Sequence, residues 1–141
     1  VALNLTILRL RRHPEEPLIG VFDCTFVPKS GTESYGLDRF FSSTAGRPKR
    51  GQEVSILGIV ATKSREAFGV DATQTPAGLS GSSSSKEYSS VDFYIEQMQD
   101  LRGPLAEMGV SYWVGDGFYA KQKVFKAVTK MGGDLVTRLR F

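Results

Sequence analysis

Residues 18–27 (LIGVFDCTFV) constrain the fold more than any other stretch: they are almost unbroken apolar sequence around one aspartate, Asp23. Such a run, closed by Pro28, reads as a strand buried on both faces at the centre of a sheet. A charge inside such a strand is costly unless it is paired or bound to a cation. The remaining elements have to be arranged around that strand and its acid.

Val54 to Ala61 reads as a second apolar strand and Ala67 to Ala72 as a shorter third, joined through residues 62–66 as a hairpin. Residues 2–10 fit a helix end or a strand. Residues 28–51 read as a long polar loop with several glycines and two prolines, and residues 77–90 as a Gly/Ser-rich surface loop. Val91, Tyr94, Met98, Leu101, Leu105 and Met108 step by three and four, which predicts one apolar helix face. Ser89 and Asp92 form a capping signal for that helix, and Gly103-Pro104 should kink or interrupt it. Val110 to Gly115 is rich in strand formers. A helix over about 119–131 follows, stopped by Gly132-Gly133, and residues 134–141 alternate as a last strand. The order β-β-β-α-β-α-β predicts an α/β fold, a mixed sheet with helices packed on it. Right-handed crossovers place strands one, four and five side by side and parallel.

A length of 141 residues suits one domain. With 40% hydrophobic and 23% charged residues, the chain is neither a disordered tail nor a coiled coil. No apolar run approaches the ~20 residues of a membrane span, and the single cysteine excludes an internal disulfide. The net charge of +3 is unevenly spread: residues 1–50 carry 8 basic and 5 acidic side chains, 51–100 carry 3 and 7, and 101–141 carry 7 and 3. Basic ends suit a polyanion, although a mixed solvated surface accounts for the same numbers. The chain opens on Val1 and closes on Phe141 inside an alternating strand, so a fragment of a longer protein is expected.

Asp116 stands at the end of the fourth strand, before a glycine and a helix. If strands one and four are neighbours, Asp23 and Asp116 converge at one sheet edge, where ligands of open α/β sheets collect. A divalent metal would relieve their repulsion, and Mg²⁺ favours one or two carboxylates with waters and phosphates. The alternatives are a helix cap for Asp116 and an ion pair with a buried Arg or Lys for Asp23.

That order, with acids on strands one and four, resembles the ribonuclease-H-like fold. Residues 22–31 (FDCTFVPKSG) and 35–42 (YGLDRFFS) resemble the first-aspartate segment of DDE insertion-sequence transposases. Residues 116–125 (DGFYAKQKVF) resemble their second-aspartate segment, Asp-Gly-(Tyr/Phe)-Tyr-x-Lys, and residues 136–140 the strand after it. The resemblance covers most of residues 18–141 and implies a partial catalytic domain, preceded by a lead-in over 1–17. It implies metal-dependent phosphoryl transfer on DNA, cleavage and strand transfer, using two Mg²⁺ or Mn²⁺ ions. Asp23 would bridge the ions and Asp116 would hold one. The family's third acid, a glutamate on a helix after the last strand, has no match in residues 1–141; those C-terminal helices are expected to be absent and the fragment inactive. The implied partners are transposon ends and target DNA, with no membrane. The implied setting is the bacterial cytoplasm, at the nucleoid, in an enzyme that acts as an oligomer. Another ribonuclease-H-like nuclease, a non-catalytic DNA-binding remnant and a plain interaction domain are the competing readings.

Candidate DNA contacts are Lys29, Arg47, Lys49 and Arg50 in the 28–51 loop, Lys121 and Lys123 after Asp116, and Arg138 and Arg140 on the last strand. Each could equally be a solvated surface charge. His13, without a partner His or Cys, reads as a surface residue, and Cys24 as core, not a nucleophile. Trp113, Tyr112 and Phe118 read as packing residues.

Overall fold

A computed structural model describes residues 2–79 and 87–138. Helix α1 (Ala2–Arg11) leads into strand β1 (Leu18–Pro28), then β2 (Asp38–Ser42), β3 (Arg47–Ala61) and β4 (Glu66–Gln74). Helices α2 (Ser90–Asp100) and α3 (Arg102–Glu107) precede β5 (Tyr112–Gly115). A 3₁₀ turn (Gly117–Tyr119), α4 (Gln122–Lys130) and β6 (Asp134–Thr137) complete the chain. The sheet runs β2-β3-β1-β5-β6, with β4 also paired to β3. Strands β1, β5 and β6 are parallel, as the crossover rule requires, and β3 is antiparallel to β1 along its whole length.

The expected helix face is the core. Val91, Tyr94, Met98, Leu101, Leu105 and Met108 are all buried, in one cluster with Leu18, Phe22, Leu57, Ile59 and Trp113. Asp92 accepts hydrogen bonds from the Ser89 backbone N–H (2.9 Å) and hydroxyl (2.6 Å), so the capping signal is realised. The helix breaks at Leu101, ahead of Gly103-Pro104. Pro104 therefore occupies the first turn of α3, where its missing N–H has no intrahelical partner to lose. Gly132, at φ +79°, ends α4 in the left-handed region that glycine adopts without strain.

One open alternative is decided and two expectations are corrected. Residues 2–10 are helical, because Leu5 and Leu8 on one face of α1 reach the common core. The loop expected over 28–51 contains a hairpin: β2 pairs with residues 47–51 of β3. The charges of residues 47–50, all exposed, hid it, although Phe40 and Ser42 of β2 are buried. The last helix starts at Gln122 instead of 119, because Asp116 caps a separate 3₁₀ turn first. Within the serine-rich 77–90 segment, residues 80–86 lie outside the described residues.

Glu16, 5% exposed between α1 and β1, fastens the turn between β3 and β4. Its Oε1 accepts from the Ser64 backbone N–H and its Oε2 from that of His13 at 3.4 Å. The Ser64 bond above all holds the carboxyl below the ordinary glutamate value of 4.5, against the opposing effect of burial. A carboxyl lowered in the folded state adds stability above its unfolded pKa and loses it as pH falls through the folded value. Glu16→Gln should therefore be less stable than the parent at pH 7, and the gap should close as pH drops below about 4.5. Urea unfolding at pH 7 and pH 3 checks this; a gap of equal size at both would refute it.

Candidate active site

Parallel pairing aligns Ile19 with Tyr112, Gly20 with Trp113 and Val21 with Val114. Carried two residues on, past the end of β5 at Gly115, that register brings Asp116 to the level of Asp23. The β5–β6 pairing of Gly115 with Thr137, carried one residue on, sets Arg138 beside Asp116. Alternation puts Val21 and Asp23 on one face of the sheet, with Tyr112 and Val114, and puts Phe22 and Cys24 on the other, helix-covered face. The two acids thus share the carboxyl-terminal edge of the parallel strands.

Both acids are exposed. That corrects the premise of an acid buried on both faces. β1 outruns β5 by several residues, so its second half is only partly covered, and Asp23 incurs no large desolvation cost. Asp23 Oδ1 accepts from the Cys24 backbone N–H at 2.8 Å. Asp116 Oδ1 accepts from the Phe118 N–H at 2.8 Å, and the Asp116 carbonyl accepts from the Thr137 hydroxyl at 2.7 Å. Asp116 is therefore a turn cap in addition to its place beside Asp23. These bonds hold the Asp23 carboxylate against β1 and the Asp116 carboxylate against the 3₁₀ turn. Among the described residues no group of three or more His, Cys, Asp or Glu side chains is arranged to hold a metal ion. As a donor set, two exposed carboxylates fit a hard divalent cation that keeps several waters.

Beneath this edge lies an aromatic and polar layer that the residue patterns did not reveal. The Tyr119 ring meets Phe22 edge-on at 4.5 Å, Phe118 at 5.2 Å and Tyr94 at 5.8 Å. Cys24 Sγ lies 2.8 Å from Tyr119 Oη. Tyr94 donates to Glu53 Oε1, which also accepts from the Thr75 hydroxyl at 2.9 Å. The Cys24–Tyr119 contact ties the residue after Asp23 to the turn that Asp116 caps. Burial pushes the Cys24 thiol up to about 12 and raises both tyrosine hydroxyls, Cys24 adding to the rise in each tyrosine. All three stay protonated at neutral pH, and Cys24 is no nucleophile. Tyr119 could have been picked out only as the second aromatic of the Asp-Gly-Phe-Tyr segment.

The expected basic residues separate into different settings. Lys29, Arg47, Lys49 and Arg50 are exposed. Lys123 is engaged with Asp92 at 2.6 and 2.8 Å, which joins α4 to α2. Lys121 lies 4.5 Å over the Phe118 ring. Arg138 is exposed at the end of β6, and Arg140 lies outside the described residues. Trp113 is buried as expected, whereas Tyr112 and Phe118 are 51% and 37% exposed, so neither is a core residue. Among the described residues no helix is long and apolar enough to cross a membrane.

No curated protein matches the chain. An endonuclease V of Ciona intestinalis, solved in complex with a 24mer DNA containing an inosine followed by a ribo-adenosine, superposes with a TM-score of 0.50 at 10% identity. The superposition covers 89% of this chain and 47% of that one, so this chain spans about half the neighbour's length. At that identity the likeness concerns the fold alone, and it agrees with a ribonuclease-H-like sheet. Residues 3–77 match the DDE superfamily endonuclease family, a stretch that includes Asp23 and ends before Asp116. With more than half of its residues in that match, the chain belongs to the DDE superfamily endonuclease family.

Proposed function

We propose that this chain is a fragment of the catalytic core of an insertion-sequence transposase, whose parent protein cleaves DNA and transfers strands with the help of Mg²⁺ or Mn²⁺. Residues 18–141 would form part of the catalytic domain, with residues 1–17 a lead-in whose helix packs on the same core. The observation that carries the reading is the parallel β1–β5 register, Val21 beside Val114, which supports Asp23 and Asp116 meeting at the carboxyl-terminal sheet edge. Membership of an endonuclease family supports phosphoryl chemistry on a nucleic acid. The DNA-bound structural neighbour agrees with DNA as that substrate.

Asp23 and Asp116 would hold the ions. Divalent ions bound there supply the positive charge that activates an attacking oxygen and steadies a leaving one. The protein's own part is orientation. The Cys24 and Phe118 N–H groups steer the carboxylates, and the Cys24–Tyr119 contact holds the two backbones together from below. Two carboxylates alone bind such ions weakly, so we expect no cleavage from residues 1–141 by themselves.

Calorimetric titration of the chain with Mn²⁺ tests the site. Asp23→Asn and Asp116→Asn should each weaken saturable binding about tenfold or more, since either loss leaves one carboxylate. Wild-type binding that survives both substitutions would rule the pair out as the metal site.

A further inference from the structure

The β2–β3 hairpin supplies a surface that neither the two acids nor the core requires. Arg39 pairs with Arg50 and Phe41 with Pro48, and alternation puts these four on one face of the ribbon. β3 continues from Arg50 to Ile56, the partner of Asp23, and Ile56 has the same parity as Arg50. The four residues therefore belong to the sheet face that carries Asp23. All four are exposed, and Phe41 keeps 62% of its surface in water.

The charge of the ribbon is unbalanced. Among the described residues the ion pairs are Arg9–Glu107 and Lys123–Asp92, so the hairpin's Arg39, Arg47, Lys49 and Arg50 have no carboxylate partner. The ribbon's own acid, Asp38, is turned to backbone N–H groups of Arg39 (2.7 Å) and Gly78 (2.8 Å). An exposed aromatic ring beside unpaired guanidinium groups suits a strand of nucleic acid, where phosphates meet the cations and a base stacks on the ring. Ile56 lies six residue steps along β3 from Arg50, roughly 20 Å at about 3.3 Å per step.

We propose that this ribbon is a DNA-contact arm: Arg39 and Arg50 engage phosphates roughly 20 Å from Asp23, and Phe41, opposite Pro48, stacks on an unpaired base roughly 26 Å from it. The inference rests on the DNA reading above and narrows its substrate to DNA with an unpaired segment next to the reacting site.

Fluorescence anisotropy of this chain tests it, with a blunt duplex and the same duplex carrying a single-stranded overhang. Phe41→Ala should weaken binding to the overhang DNA about tenfold and leave the blunt duplex within about twofold. Arg39→Gln with Arg50→Gln should weaken both and reduce the slope of log K against log salt by about 2. Circular dichroism confirms that the variants fold. If the parent binds DNA and neither variant differs from it, the arm is refuted and the DNA reading stands. Equal weakening of both DNAs by Phe41→Ala would refute base stacking. If the parent shows no salt-dependent binding to either DNA, the DNA reading fails and the arm with it.

Discussion

Trp113→Ala should destabilise the domain by about 3–5 kcal/mol, toward the upper end for a buried aromatic. Typical domains have only about 5–15 kcal/mol in total. Trp113 is 2% exposed in a four-residue strand between β1 and β6. A Cβ on its direct partner Gly20 would lie 2.7 Å from Trp113 Cε3, and one on Gly133 would lie 2.9 Å from Cδ1. The indole thus fills space that both neighbouring strands leave open by having no side chain. Once the ring is gone, the glycines offer nothing to close the cavity, so relaxation recovers little. Trp113 is the only tryptophan, so urea unfolding has to be followed by far-UV circular dichroism. A loss below about 1 kcal/mol would mean that the ring is not the seat of this part of the core.

The seat of Trp113 illustrates what could not be read from residue order. The apolar face of α2 and α3 was legible because a step of three and four is a property of one segment. The parallel placement of β1, β5 and β6 was legible because crossover handedness leaves few arrangements. The expectation that Asp23 and Asp116 converge at one sheet edge followed from that topology. Contacts between distant segments were not legible. Nothing local to Gly20 or Gly133 says that an indole fills their place. Nothing local to Cys24 says that its thiol meets Tyr119. The β2–β3 ribbon was missed for another reason: residues 47–50 are all exposed and carry charge, so Arg47 to Arg50 looked like loop. Asp23 was placed correctly on a strand but assigned the wrong environment, because an apolar run does not disclose where the neighbouring strand stops.

The second large effect is expected at Gly115, with Gly20 as its control. A Cβ on Gly115 would lie 2.6 Å from Phe22 Cε2 and 3.1 Å from Tyr119 Cδ2, a crowding close to that at Gly20. Both Gly115→Ala and Gly20→Ala force a buried ring to move, so each should cost about 1–3 kcal/mol in urea unfolding. Their consequences at the sheet edge should differ. Gly115 immediately precedes Asp116, and the ring it would displace belongs to the residue before Asp23. Tyr119, the other ring in the way, is the one that contacts Cys24. Displacing Phe22 or Tyr119 shifts the carboxylates relative to one another, whereas displacing Trp113 acts three residues before Asp116. At a temperature where both variants remain folded, Gly115→Ala should bind Mn²⁺ about tenfold more weakly than Gly20→Ala, because two carboxylates set at the wrong separation act as one. Equal Mn²⁺ affinities for the two variants would show that the aromatic layer supports the fold without positioning Asp23 and Asp116.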